Sequence, residues 1–310
     1  MSSVCKTRPV ASYAEGMIVI TTPTGAIGHQ VLEHVLRSEK PIRLIARDAS
    51  RLPPHIRERI DVVQGSHGEA AVVNKAFAGA DAVFWLVPPD PRASSVDAAY
   101  VDFTRPACAA FKTHGVKRVV GISALGRGTP AAAHAGLVTA SLKMDDLIAS
   151  TGVHYRAVTN PSFMDNLLRQ VELIKTQGIF SLPISGDLKQ PSACTRDIAA
   201  TAAKLLLDQS WSGVGSVPVL GPEDLSYNDM ATIMSEVLDR PVRFQEIPGE
   251  DFKARLLQRG MSDAMAQANL DMWVAYNRGL DTAELRTPQY TTHTSFRQWC
   301  EEVLKPRVIA

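Results

Sequence analysis

The chain has 310 residues, of which 45% are hydrophobic, 21% charged and 6% aromatic, and its formal net charge is +1. That length fits one large α/β domain, or a nucleotide-binding domain with a smaller second lobe. The aliphatic content excludes disorder for most of the chain, and the near-zero charge gives no whole-chain reason to expect nucleic acid or an anionic membrane as a partner. Residues 1–16 are mixed and polar, without the apolar region of a secretory signal, and read as a flexible leader. Met17–Ile20 is then a short apolar run without alternation, as expected of a strand buried on both faces of a parallel sheet. Ala26–Arg37 places Ile27, Val31, Leu32, Val35 and Leu36 at helical spacing. Strands follow at Ile42–Ala46 and Asp61–Val63, a helix at Glu69–Phe77, and a fourth strand at Asp81–Val87, stopped by Pro88-Pro89. A long helix over Ser94–His114 leads to a strand at Lys117–Ile122, a helix at Leu137–Ser150 and a sixth strand at His154–Thr159.

Repeated β-α alternation from Met17 to Thr159 predicts an α/β fold: a doubly wound, parallel Rossmann sheet over residues 17–159. Residues 160–310 are less regular. They read as a smaller, mainly helical C-terminal substrate lobe that partly contributes to the sheet. Helices are expected at Phe163–Thr176, Thr195–Asp208, Ser226–Leu238, Met261–Tyr276 and Thr294–Leu304, with strands at Ser216–Leu220 and Val242–Ile247. This half is expected to pack on the carboxyl ends of the strands, where open α/β sheets place their ligands.

The turn Thr22-Pro23-Thr24-Gly25-Ala26-Ile27-Gly28 joins the first strand to the first helix. Glycines here allow a tight turn, close approach of a pyrophosphate and close helix–strand contact, and the helix N-terminus offers free N–H groups to phosphate. The first glycine position holds Thr22. Nineteen positions after Gly28, at the end of the second strand, stands Arg47. An acidic residue there holds the ribose hydroxyls of NAD; a guanidinium suits the 2′-phosphate of NADP. NADP (NADPH) is therefore expected in preference to NAD, with Arg51 as a second cation and the adjacent Asp48 as the competing signal.

Cys5, Cys108, Cys194 and Cys300 are far apart, with no C-x-x-C pair and no ligand cluster of zinc spacing. Reduced thiols in a cytoplasmic protein, and no metal site, are expected. No apolar run approaches the ~18 residues of a membrane span. Gly121-Ile122-Ser123-Ala124-Leu125 is not a hydrolase elbow.

These pieces resemble the NmrA-like family of atypical short-chain dehydrogenases. The matching segments are Thr22–Gly28, Arg47, Gly79–Phe84, Gly115–Val120 through Ser123-Ala124, Lys143, and Asn160–Asn166. Members of that family include NADPH-dependent quinone reductases and redox-sensing regulators that bind NADP without turning it over. The chain departs from the family pattern at Thr22, at Ser66 in place of an acidic residue, and at Asn160 in place of an arginine. The resemblance implies that Thr22, Thr24, Gly25, Ile27, Gly28, Arg47, Val87, Pro88 and Pro161 bind the cofactor, and that Lys143 reaches the nicotinamide ribose. Related dehydrogenases use a Ser-Tyr-Lys set with the tyrosine four residues before the lysine, one helical turn away. Here that position is Thr139, a hydroxyl too weakly acidic to replace a phenol.

Candidate catalytic residues are therefore Lys143, Ser123 and His134. Trp85, Phe163, Met164 and Asn166 are candidates for contact with a small-molecule substrate. Trp273 and Tyr276 have the spacing of an ordinary buried helix face. The leading expectation is an NADPH-dependent reductase that delivers hydride to a quinone or another electrophilic small molecule, such as an imine or enone, without a dedicated tyrosine acid. The alternative is a non-catalytic NADP-sensing regulator that switches a protein partner. An isomerase or lyase that holds NADP structurally is a weaker third. A homodimer is left open.

Overall fold

In the computed structural model, residues 16–310 are described; the leader and Cys5 fall outside these residues, apart from Gly16. The strands are β1 (Ile18–Thr21), β2 (Ile42–Ala46), β3 (Asp61–Gln64), β4 (Ala82–Trp85), β5 (Arg118–Ala124), β6 (His154–Asn160), β7 (Ser162–Phe163), β8 (Ile179–Leu182), β9 (Gln190–Ala193), β10 (Val214–Pro218), β11 (Asp224–Leu225) and β12 (Arg243–Glu246). The helices are α1 (Ala26–Val35), α2 (Pro54–Arg57), α3 (Ala70–Phe77), α4 (Phe103–His114), α5 (Leu137–Ala149), α6 (Val171–Gln177), α7 (Thr195–Leu207), α8 (Tyr227–Leu238), α9 (Gly249–Gln258), α10 (Asp263–Asn277), α11 (Phe296–Trp299) and α12 (Lys305–Ile309). A π-helical turn, Ala98–Asp102, leads into α4.

Seven strands form one sheet in the order β10-β6-β5-β4-β1-β2-β3, and every pairing within it is parallel. The unbroken apolar runs of β1 and β4 are fully buried because helices cover both faces. Phe84 and Val120 pack with α1 and α7 on one face. Val83 and Val119 pack with α3, α4 and α5 on the other. This is the doubly wound sheet expected from the sequence, with its C-terminal edge completed by β10 and α7.

The C-terminal half has its own core. It gathers Tyr227, Met230 and Met234 of α8, Trp273 and Tyr276 of α10, and Phe296 and Trp299 of α11. Two small sheets brace it: β11-β9-β7, and the pair β12-β8. The segment after β6 corrects the expectation of one helix over Phe163–Thr176. It runs as β7, then a 3₁₀ stretch from Met164 to Gln170, then α6. The physical reason is a cap: Asp165 turns aside to accept bonds from the Thr195 backbone N–H at 2.8 Å and the Thr195 hydroxyl at 2.9 Å. It thereby ties this segment to the start of α7.

Candidate cofactor and substrate site

The phosphate loop leaves β1 through Thr22, a residue with a positive φ of 51°. A β-branched residue pays a steric cost there that glycine does not. The turn closes when the Gly25 N–H donates to the Thr22 carbonyl at 2.9 Å. Gly28 lies against this turn: a Cβ added to it would stand 2.1 Å from the Thr22 carbonyl oxygen. Gly28 is thus required for helix α1 to sit on the loop. Gly25 has no such clash, its nearest contact being 3.4 Å, so its bare backbone serves the open side of the turn. The Thr22 hydroxyl is buried and has no hydrogen-bond partner. An enclosed hydroxyl at the opening of a helix is an orphan that a phosphate oxygen would satisfy. Thr24 is exposed beside it, whereas the Ile27 side chain is core, so only its backbone faces the loop.

At the end of β2, Arg47 is exposed and forms no ion pair or hydrogen bond among the described residues. Its neighbour Asp48 is committed elsewhere. One Asp48 carboxylate oxygen accepts from the Ser50 N–H at 2.9 Å and the Ser50 hydroxyl at 2.6 Å, capping a short 3₁₀ turn. The Gly65–Gly68 turn after β3 contributes a residue the sequence reading passed over. His67 is buried, its Nε2 lying 2.9 Å from the Leu86 carbonyl and its ring edge-on to Trp85 and Phe103. A carbonyl can only accept, so Nε2 carries the hydrogen. Burial drives the His67 pKa down to about 4, with the Arg47 charge adding to the effect. The neutral ring locks the end of β4 from below. The local signal was Gly65-Ser66-His67-Gly68, read only for its missing acid.

The structure corrects Trp85, expected at the substrate. Its indole is fully buried within the α3–α4 core and its Nε1 donates to the Thr104 hydroxyl at 3.3 Å. Strand alternation turns it away from the cleft. Leu86, Val87 and Pro88 continue over the carboxyl end of the sheet. The Leu86 N–H is held by the Thr21 hydroxyl, which itself donates to the Phe84 carbonyl, so the ends of β1 and β4 are stitched together. Val87 is buried and Pro88 exposed.

Ser123 is likewise not brought to the pocket as a catalytic group. Its hydroxyl donates to Asp145 at 2.5 Å in a buried network. The same Asp145 accepts from the Tyr155 hydroxyl at 2.5 Å, and Arg127 stands 3.5 Å away. His134 is exposed on a 3₁₀ turn and lines, with Arg278, an open groove of about 420 Å³ whose lining shares no residue with that of the apolar pocket beyond β6. Lys143 projects from α5 and pairs with Asp97 at 2.9 Å, both half-exposed. The Thr139 hydroxyl donates to the Ala132 carbonyl and accepts from the Ala135 N–H, so it holds a loop rather than a substrate.

At the end of β6, Asn160 is buried, its Nδ2 donating to the carbonyls of Ser123 and Val158. Its Oδ1 has no partner. Pro161 is buried behind it. Just beyond, Phe163, Met164 and Asn166 converge on one semi-enclosed, largely apolar pocket. Segments the sequence reading did not connect supply its other walls: Gln190 and Ser192 of β9, Leu225 of β11, Tyr227 and Met230 of α8, and Trp273 of α10. Among the described residues no His, Cys, Asp or Glu cluster could hold a metal, Cys108, Cys194 and Cys300 are free and buried, and no helix is long and apolar enough to cross a membrane.

The two orphan polar atoms lie at the carboxyl ends of β1 and β6, and the free guanidinium at the end of β2. A dinucleotide laid across the strand ends of a doubly wound sheet meets these three places, so the donor set fits such a cofactor. Residues 23–209 match the family described as NAD(P)H-binding, and the chain belongs to that family. Over 291 residues it is 31% identical to a (4-alkanoyl-5-oxo-2,5-dihydrofuran-3-yl)methyl phosphate reductase of Streptomyces griseus, covering 92% of this chain and 97% of that one. An NADPH-dependent quinone oxidoreductase of Escherichia coli, solved with NADPH, superposes with a TM-score of 0.71 at 25% identity, over 85% of this chain and 90% of that one. The triphenylmethane reductase of Citrobacter sp. shares the fold with a TM-score of 0.76 at 17% identity, over 94% of this chain and 99% of that one. The family is defined by NAD(P)H binding, and the relatives to which the chain is similar are named as reductases and oxidoreductases.

Proposed function

We propose that the protein is an NADPH-dependent reductase of an electrophilic small molecule, a quinone, imine or enone. The observation that carries this reading is the apolar pocket at the end of β6, next to a cofactor cleft whose α5 bears Thr139 where a tyrosine acid would stand. Alcohol–ketone interconversion needs that acid; electron-poor double bonds accept hydride more readily. The relatives that are named reductases and oxidoreductases support the same class.

Bound NADPH supplies the hydride. The chain's residues would do the rest. The first turn of α1 and the Thr22 hydroxyl hold the pyrophosphate. Arg47, with Asp48 turned to Ser50, leaves a bidentate cation for the 2′-phosphate. Asn160 Oδ1 accepts from the carboxamide, and Lys143 orients the nicotinamide ribose once released from Asp97. Phe163, Met164 and Trp273 exclude water from the reacting face.

The test follows NADPH oxidation by absorbance with a panel of quinones, imines and enones. Turnover well above the protein-free rate is expected. Saturable binding without turnover across the panel would overturn the reductase reading in favour of a dinucleotide sensor that acts on a protein partner. Arg47→Glu is expected to weaken NADPH by at least tenfold while leaving NADH nearly unchanged; equal losses would remove Arg47 from the phosphate site.

A further inference from the structure

Among the described residues that line the apolar pocket, none is a Lys, Arg, His, Asp or Glu. An anionic group would enter without a partner, and giving up water for such a place is costly. The polar groups of the wall differ in how firmly their polarity is set. Gln170 is spent on Ser181: its Nε2 donates to the Ser181 carbonyl at 3.1 Å and its Oε1 accepts from the Ser181 N–H at 2.9 Å. Asn166 is exposed, and the Ser162 and Ser192 hydroxyls can rotate to donate or accept. Gln190 differs from all of these. It lies on β9 opposite Leu225 of β11 and is only 4% exposed. Its Nε2 donates to the Tyr276 carbonyl on α10 at 3.0 Å. A carbonyl only accepts, so this amide has one orientation: the NH2 faces α10, and Oε1 is the end left for the pocket that Gln190 lines.

We propose that Gln190 decides which acceptor molecule this pocket takes: its Oε1 accepts a hydrogen bond from the substrate, which is a flat conjugated electrophile bearing an N–H or O–H and no negative charge. The proposal rests on the reductase reading and narrows its substrate. A quinone or enone with carbonyl oxygens alone sets lone pair against lone pair at Gln190 and leaves a desolvated acceptor unpaired. A site built to bond a substrate N–H or O–H rejects the analogue that lacks it. The N–H of a cyclic iminium ion meets the demand, as does the O–H of a hydroxyalkyl quinone. The iminium charge is tolerated because Phe163, Tyr227 and Trp273 supply aromatic walls, and ring faces attract a cation. Such a substrate also suits a cleft with Thr139 in place of a tyrosine acid. When hydride reaches the iminium carbon, the C=N pair moves onto nitrogen and the positive charge is cancelled, so no proton is drawn from the protein. A hydroxyalkyl quinone gains one hydride and one proton, the proton coming from water. NADPH is the reductant in both cases.

The first readout needs no turnover: calorimetric titration of the protein saturated with NADP+, which has no hydride to give. Two matched pairs serve as probes. One is 3,4-dihydroisoquinolinium and its N-methyl derivative, at a pH where the imine is protonated. The other is 2-hydroxymethyl-1,4-naphthoquinone and its methyl ether. In at least one pair the donor-bearing compound should bind about tenfold or more tightly than its methylated partner, and the pair that shows this names N–H or O–H as the source. An added sulfonate on 1,4-naphthoquinone should weaken binding by about tenfold or more; equal binding would overturn the exclusion of anions. Gln190→Met removes the acceptor at similar volume, and the Tyr276 carbonyl keeps its bond from the Gly279 N–H at 2.9 Å. This variant should lose the preference by weakening the donor-bearing compound, with the methylated one nearly unchanged. With NADPH, kcat/KM should show the same preference and the same loss. Equal binding within both pairs, or a preference that survives in Gln190→Met, overturns the role of Gln190, and turnover would still leave the reductase reading standing. A preference abolished by Gln190→Met without turnover of any probe overturns the reductase reading alone.

Discussion

Two positions that touch across the phosphate loop, Thr22 and Gly28, carry opposite steric demands. Gly28 has no room for a methyl group, because the Thr22 carbonyl already occupies that space at 2.1 Å. Gly28→Ala must therefore push α1 off the loop, since the obstacle is backbone and cannot rotate away. We expect at least a tenfold loss of NADPH affinity and a lower thermal midpoint, both read by thermal shift with and without cofactor. At Thr22 the mismatch runs the other way, with a branched residue held at a φ of 51°. Thr22→Gly relieves about 1 kcal/mol of backbone strain, partly offset by the freer unfolded chain. It also deletes the buried hydroxyl without a partner. The substituted protein should be at least as stable without cofactor yet bind the dinucleotide more weakly, a split that calorimetry and titration resolve. The positions of Gly25, Gly28 and Arg47 on the loop and at the end of β2 could be read in the sequence because they depend on local spacing. The contacts of His67 and Asn160 could not, because they join strand ends that meet only in the folded sheet.

Among the elements, β4 and α4 show how a buried strand keeps its register. Trp85 sits between His67, Phe103 and Phe111, at ring centroid distances of 5.0, 6.4 and 6.2 Å. Trp85→Ala should cost about 3–5 kcal/mol, a value set by the cavity left behind. Denaturant unfolding monitored by circular dichroism measures it; a loss below about 1 kcal/mol would show that the core collapses around the gap. Elements with a strong periodic signal, such as β2 and α5, were legible almost to the residue. Those that were missed lacked one. Helix α9 fully buries none of its residues; its inward stripe is only Phe252 and Leu256, both half-buried, too short to stand out in the sequence. Strand β8 is four residues long and pairs with β12, whose residues Arg243–Glu246 lie far along the chain. Nothing local announces such a pairing. The same distance hid most of the pocket: its first wall follows β6 directly, whereas Gln190, Leu225 and Tyr227 arrive on separate segments.

For the whole molecule, the buried ionisable groups set opposing responses to pH. Asp281 has its pKa raised from 3.8 to about 8 by burial, so the folded state keeps a proton that the unfolded chain releases. Its contribution is complete below about pH 4 and drains away as pH rises towards about 8. Burial also raises Asp145, to about 6, which steepens the same trend over the lower part of that window. His67 is lowered from 6.5 to about 4, so its contribution is complete above about pH 6.5 and is lost as pH falls towards about 4. The two directions oppose each other between about pH 4 and 6.5, and above that range Asp281 dominates. Asp281→Asn should therefore raise the thermal midpoint near pH 9 and change it little near pH 4. Calorimetry across that range decides it, and no gain at alkaline pH would show that the carboxyl is not held protonated.

The four tryptophans of the chain are distributed in a way that has an optical consequence. Trp85 and Trp299 are sealed in separate cores, and Trp211 lies beneath the guanidinium groups of Arg118 and Arg156 at the sheet edge. Only Trp273 borders the apolar pocket. Its emission should respond to whatever enters there, while the other three provide a steady background. Intrinsic fluorescence of the native chain would then report pocket occupancy without any label, and Trp273→Phe would silence the signal while leaving the protein to bind unseen.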